Sequence, residues 1–318
     1  MPRKCLTSDP PKSVSSLSEK GLIAKVCACF APCLDPSPRG PGDDCAVIFP
    51  ESFGGRIVST SDAVILGRHF GASDPGRLVG RKAMNRNISD VASMGGTPRY
   101  AMTSAIMGPD VSLEWLEDFC LGMRDAAAKY GVKFIGGDIA RGPSGFFSMH
   151  VCLLGDAKRP LLRSGAAAGD SVYVTGPLGG SFESGRHLDF EPRVGEGLFL
   201  AGRDEVSACT DISDGLAFDL KNMLAPGLCA ELCAASVPVA GVPGNTLAKA
   251  LSDGEDYELL FAAAPSDGFL REYSERFGRP PFEVGKIKTA PEPKAAGAVF
   301  INENGESRVL NLAGYSHF

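Results

Sequence analysis

A chain of 318 residues exceeds the roughly 100–200 residues of an ordinary domain and predicts two domains or one large two-layer unit. With 44% hydrophobic and 22% charged residues it has the composition of a globular protein that can bury a core. A net charge of −6 argues against a general nucleic-acid surface, no apolar run reaches the ~20 residues that span a bilayer, and the N-terminus has no apolar signal core, so a cytoplasmic protein without nucleic-acid or membrane partners is expected.

Residues 1–17 are rich in Pro, Ser and Lys and read as a flexible leader. Residues 22–30 predict a helix, 45–49 and 56–61 strands, and 75–94 a helix on which Met84, Ile88 and Val91 recur at helical spacing. A strand at 99–106, an amphipathic helix at 113–130 and strands at 133–135 and 146–154 complete a first domain, 18–158. The second, 159–318, is expected to hold a strand at 171–175, helices near 195–202 and 215–224, a strand at 257–263, a helix at 267–277 and a hairpin at 299–309 turning at Asn302-Glu303-Asn304-Gly305. The order predicts an α/β or α+β protein. Ten cysteines include no Cys-x-x-Cys pair, and the cluster Cys27, Cys29 and Cys33 reads as buried thiols rather than a zinc site.

Five segments share one pattern, an aspartate where a strand or helix meets glycine or small hydroxyl residues. They are Gly42-Asp43-Asp44, Ser59-Thr60-Ser61-Asp62, Asn87-Ile88-Ser89-Asp90, Gly136-Gly137-Asp138 and Asp211-Ile212-Ser213-Asp214-Gly215. Any one of these is explained as a turn or helix cap. Asp90 is less easily explained this way, because it lies inside a predicted helix where Asp is a poor helix former. Magnesium prefers oxygen ligands, commonly one or two carboxylates together with substrate phosphates. No Gly-x-x-x-x-Gly-Lys-Ser/Thr loop is present, so if ATP binds, metal ions must carry much of the phosphate recognition.

In order and spacing these motifs resemble the thiamine-monophosphate kinase family. The resemblance extends through His69-Phe70, Lys82-Ala83, Arg163-Ser164-Gly165-Ala166, Gly254-Glu255-Asp256-Tyr257-Glu258-Leu259 and Gly314-Tyr315-Ser316-His317-Phe318, and covers about residue 22 to the end. It implies an α+β, two-domain aminoimidazole-ribonucleotide-synthetase-like fold, with N-terminal strands forming a barrel shared in a homodimer. It also implies transfer of the ATP γ-phosphoryl to thiamine monophosphate with several Mg2+ ions. The implied magnesium ligands are Asp44, Thr60, Ser61, Asp62, Asp90, Asp138, Asp211 and Asp214, of which Asp44, Asp138 and Asp214 are the catalytic members. Gly137, Arg163, Ser213 and Tyr130 would contact ATP, and His69, Glu255 and Tyr315 the thiamine phosphate.

The sequence departs from the family pattern at Ile139 and Ala140, where hydroxyl residues are usual, at Ser61 for threonine, at Ser252-Asp253, and at Pro177 and Gly180. Other superfamily enzymes are the alternative, but a hydrogenase-maturation relative would end in cysteine, and Cys27 or Cys29 lacks the glycine-rich loop of a selenophosphate synthetase. A nucleotide-binding protein without kinase activity is the alternative of another class.

Overall fold

The computed structural model describes residues 4–9, 12–34 and 50–310, with only the backbone of Glu19 and Lys20. The predicted strand at 45–49, Asp44 and Tyr315 lie outside the described residues. The chain divides into two compact units, one of residues 1–91 and 97–156, the other of 92–96 and 157–318.

The first unit holds α1 (Glu19–Phe30), β1 (Arg56–Ile65), most of α2 (Gly76–Ser93), β2 (Thr97–Met107), α3 (Leu113–Tyr130), β3 (Lys133–Arg141) and β4 (Phe147–Ala157). Its sheet has the order β1-β4-β2-β3, with β2 antiparallel to β4 and parallel to β3, to which α3 connects it. Helix α3 has its predicted bounds because both ends are capped: the Ser112 hydroxyl accepts from the Trp115 amide, and Gly131 follows at φ 72°. A Cβ at Gly80 would run into the Phe119 carbonyl, and one at Gly122 into that of Arg77, so two glycines permit the close approach of α2 and α3. Beneath them Trp115, fully buried, packs with Phe70, Phe119 and Phe147, and its indole donates to the Asp74 carbonyl at 2.9 Å.

Described residues of the leader contact the first unit. Cys5 and Val14 are buried, the Ser112 amide donates to the Cys5 carbonyl (2.7 Å), and the Val14 amide donates to Val111 (2.8 Å). A few apolar residues among the Pro and Ser suffice to dock its described parts beside the start of α3.

The second unit holds β5 (Ser171–Val174), α4 (Ser181–Ser184), α5 (Val194–Ala201), β6 (Val206–Asp211), α6 (Leu216–Met223), β7 (Leu228–Cys233), α7 (Leu247–Ser252), β8 (Leu259–Ala263), α8 (Asp267–Phe277), β9 (Phe282–Thr289), β10 (Val299–Glu303) and β11 (Glu306–Val309). Its sheet has the order β11-β10-β7-β9-β5-β8-β6. Strands β5 and β8 are buried on both faces, and residues 172–174 and 259–263 accordingly read as unbroken apolar runs. One face packs Val172, Val174 and Leu260 with Leu216 and Leu220 of α6. The other packs Tyr173 and Phe261 with Phe199 of α5 and Phe269 and Tyr273 of α8. The fold is thus mixed α+β with two sheets. Among the described residues no helix is long and apolar enough to cross a membrane.

Several predicted elements shift at their ends, three of them at candidate site residues. The strand at 133–135 runs on to Arg141, placing Gly136-Gly137-Asp138 inside β3. The strand at 56–61 runs on to Ile65. The strand predicted from 257 starts at Leu259, because Glu255 and Tyr257 take φ of 51° and 52°, incompatible with extended backbone.

Candidate active site

In the first unit, strand alternation puts Thr60 and Asp62 on one face of β1 and Ser61 on the other. The Thr60 hydroxyl donates to the Asp90 carboxylate on α2. The Asp62 amide donates to the Asn87 side chain at 3.0 Å, while the Asp62 carboxylate stands 3.4 Å from Arg86 Nε. Asp90 therefore faces β1 from within its helix, as its poor propensity there suggested. The structure brings Thr60, Asp62, Asn87 and Asp90 together, and the alternation turns Ser61 away.

His69 follows β1 in a tight turn. Its amide donates to the Ile65 carbonyl (2.9 Å), and the Ile65 amide donates to His69 Nδ1 (3.0 Å). With Nδ1 held as an acceptor, the neutral ring carries its proton on Nε2. Lys82, fully buried, donates to the His69 carbonyl at 2.8 Å and fixes the turn from α2.

Gly137 and Asp138 lie on β3, opposite Thr103 and Ser104 of β2. A Cβ at Gly137 would strike the Thr103 carbonyl, so this glycine has a packing reason as well as any binding one. Both residues line a cavity of about 140 Å³ whose other walls include Ile23, Val26 and Phe30 of α1 and Phe134 of β3. Its apolar walls and backbone edge suit a flat heterocycle. Tyr130 ends α3 and is not among the residues lining this cavity. Among the described residues, strands β1 and β3 are at opposite ends of the sheet, three strand spacings or roughly 14 Å apart. Asp138 therefore does not join Thr60 and Asp62 within one sheet.

Cys33, in the turn after α1, donates through its thiol to the Arg124 carbonyl of α3 at 3.6 Å, and a thiol hydrogen bond with buried Cys120 brings Cys29 down to about 7. Of the three, Cys33 is buried as the sequence reading expects, whereas Cys27 and Cys29 are half-buried.

In the second unit the loop after β6 carries Asp211, Ser213 and Asp214. Asp211 is buried and ends the strand. The Ser213 and Asp214 amides donate to the Asp219 carboxylate at 3.1 and 3.0 Å, so a residue one turn into α6 shapes the loop. Burial pushes the Asp219 carboxyl up to about 8, and the negative charges of Asp211 and Asp214 push in the same direction. Asp219 escaped the sequence reading, although its signal was present as a third aspartate in Asp211-x-x-Asp214-x-x-x-x-Asp219. Arg163 donates through Nε to the Thr210 hydroxyl at 3.0 Å, directly before Asp211.

Glu255 joins this assembly through the backbone. Its amide donates to the Ser213 carbonyl at 2.8 Å, and that of Tyr257 to the Ile212 carbonyl at 2.9 Å. Gly254, at φ 73°, lies so close that a Cβ would come within 2.5 Å of the Ser213 carbonyl. Arg163, Asp211, Ser213, Asp214 and Glu255 are thus brought together, with Asp219 added.

Among the described residues no three His, Cys, Asp or Glu side chains converge as a ready metal cage. What both units offer is oxygen donors, paired with hydroxyls in one and crowded by like charge in the other. That donor set fits magnesium held jointly with substrate phosphates, and not a metal caged by protein alone.

Residues 42–157 match the family model of the AIR synthase related protein, N-terminal domain. A thiamine-monophosphate kinase of Rhodopirellula baltica is 38% identical over 264 residues, 78% of this chain and 83% of that protein. One from Escherichia coli K12 is 34% identical, covering 88% and 91%. The chain belongs to the thiamine-monophosphate kinase family. Among solved structures, the thiamine-monophosphate kinase of Stenotrophomonas maltophilia superposes with a TM-score of 0.73 at 28% identity, over 91% of this chain and 98% of that one. AaThiL complexed with AMPPCP and TMP superposes with a TM-score of 0.71 at 28% identity, over 96% and 98%. Escherichia coli HypE, a hydrogenase maturation protein, shares the fold at 18% identity with a TM-score of 0.74, over 93% and 97%.

Proposed function

We propose that the chain transfers the γ-phosphoryl group of ATP to thiamine monophosphate, giving thiamine diphosphate by direct in-line transfer. The observation that carries this reading is the assembly in which residues 211–214 and Glu255 are hydrogen-bonded into one unit. An oxygen-rich loop suited to metal-bound phosphates is thereby fixed to a carboxylate suited to an organic cation.

Thr60, Asp62, Asp90 and Asp138 from the first unit, Asp211 and Asp214 from the second, and Asp44 supply oxygen ligands to magnesium, and Ser61, whose side chain is on the other face of β1, joins them through its backbone carbonyl. Asp44, Asp138 and Asp214 lie nearest the chemistry. When bound, magnesium neutralises the charge on the phosphoryl oxygens, which is large when two phosphate-bearing substrates meet. Gly137, Arg163, Ser213 and Tyr130 hold ATP, with its base in the apolar cavity beside Gly137. His69 offers its Nε2 proton to the thiamine phosphate, which Glu255 and Tyr315 also contact. The attacking atom is already a phosphate oxygen anion, so no side chain need remove a proton from it.

The first domain, 18–158, carries ATP and magnesium binding and dimerisation, and 159–318 forms the second. A homodimer closed through the N-terminal strands fits the edge positions of β1 and β3. With its two-fold along the barrel axis, β3 of one protomer lies beside β1 of the other, reuniting Asp138 with Thr60 and Asp62 across the interface. The enzyme acts in the cytoplasm. Incubation with ATP, magnesium and thiamine monophosphate, following ADP and thiamine diphosphate, tests the reading. Tight ATP binding without turnover would favour a nucleotide-binding protein instead.

A further inference from the structure

Four consecutive side chains, Glu255, Asp256, Tyr257 and Glu258, are each met by a residue of one short stretch, 186–193. His187 Nδ1 stands 3.4 Å from Glu255 Oε2, and Arg186 pairs with Asp256. The Tyr257 ring stacks on Phe190, centroids 3.9 Å apart and planes 13° from parallel. Arg193 grips Glu258 in a two-pronged fork, Nε to Oε2 at 2.7 Å and Nη2 to Oε1 at 2.6 Å.

The backbone so held is one that does not hold itself. Glu255 and Tyr257 both have left-handed φ, a conformation that bulky residues keep only where their surroundings enforce it. On one side the enforcement is the pair of amide bonds to residues 212 and 213. On the other it is the stretch 186–193. Glu255, Asp256 and Glu258 are 5%, 2% and 3% exposed, and three buried carboxylates in four residues require charged or hydrogen-bonding partners. The His187 ring is itself set by Phe182, whose ring centroid lies 4.6 Å away.

We propose that residues 186–193 form the positioning element for the Glu255 carboxylate that contacts the substrate, and that His187 aims it. The inference rests on reading Glu255 as a contact to the thiamine phosphate. His187 acts through Glu255 and does not touch the reacting atoms. Steady-state kinetics of the full chain, with thermal melting alongside, test it. His187→Ala raises the KM for thiamine monophosphate about tenfold, with kcat and the KM for ATP within about twofold of the parent. His187→Asn, which returns an amide nitrogen to the Nδ1 position, recovers most of the loss, whereas His187→Gln, whose nitrogen lies at the Nε2 position, does not. In a Glu255→Gln background, His187→Ala adds little.

Should His187→Ala fail to fold, the Asn and Gln variants carry the comparison. Glu255→Gln raising the KM while His187→Ala leaves it unchanged would overturn the positioning role and leave the Glu255 reading standing. Equal losses of kcat and melting temperature in all three His187 variants would show a merely structural residue. A silent Glu255→Gln would overturn the Glu255 reading, and this proposal with it.

Discussion

Replacing Asp214 by Asn keeps the side-chain volume and removes one charge from a half-buried loop whose amide is already held by Asp219. Loss of a carboxylate from a magnesium site removes several kcal/mol of transition-state stabilisation, so kcat is expected to fall on the order of 100-fold or more while the melting temperature changes little. Turnover measured beside a thermal melt checks both halves, and an unfolded or fully active variant would make Asp214 structural. Single residues were unevenly legible in the sequence. Asp90 stood out because nothing local explains an aspartate within a helix, and its bond from Thr60 explains it. Asp219 did not stand out, because an acid in the first turn of a helix is ordinary and its role appears only when the loop folds back to it. His187 had no local signal, since its partner lies 68 positions further on in sequence.

Among the elements, the segment 255–258 joins the loop at 211–214 to the stretch 186–193, and it contains a titrating group of its own. Burial pushes the Asp256 carboxyl from 3.8 up to about 6, against the opposing effects of Ser181, Arg186 and the Gly179 amide. Because the folded chain binds this proton more tightly than the unfolded one, the stability contributed is greatest below about pH 4. It is lost as the pH rises through about 6, a change of about 3 kcal/mol. Denaturant unfolding at pH values across this window is expected to show a shallower pH slope in Asp256→Asn than in the parent, and an unchanged slope would contradict the assignment. Elements with strong local punctuation were legible: α3 lies between Ser112 and Gly131, and α8 has its predicted bounds. Strands β7 and β9 were missed because charged residues at 231, 283, 286 and 288 break their apolar pattern, and only their pairing in the sheet makes them strands. The end of the predicted strand at 257 failed for another reason, a backbone strain that composition does not encode.

For the whole molecule, α+β character followed from element order, whereas the sheet orders, which depend on non-local pairing, did not. The order β1-β4-β2-β3 matters because it puts proposed magnesium ligands on opposite edges. In the proposed homodimer the β1 side of the sheet is covered, and Ile57, 56% exposed on that strand, becomes an interface residue. Ile57→Lys is expected to shift sedimentation from dimer toward monomer and to lower activity in parallel, and an active monomer would refute a shared site. The central claim is phosphoryl transfer to thiamine monophosphate, and it is tested most directly by incubating the full chain with ATP, magnesium and thiamine monophosphate and quantifying both products. The account predicts ADP and thiamine diphosphate in equal amounts, with neither formed when magnesium is chelated. ADP without thiamine diphosphate, or no turnover while ATP still binds, would contradict it.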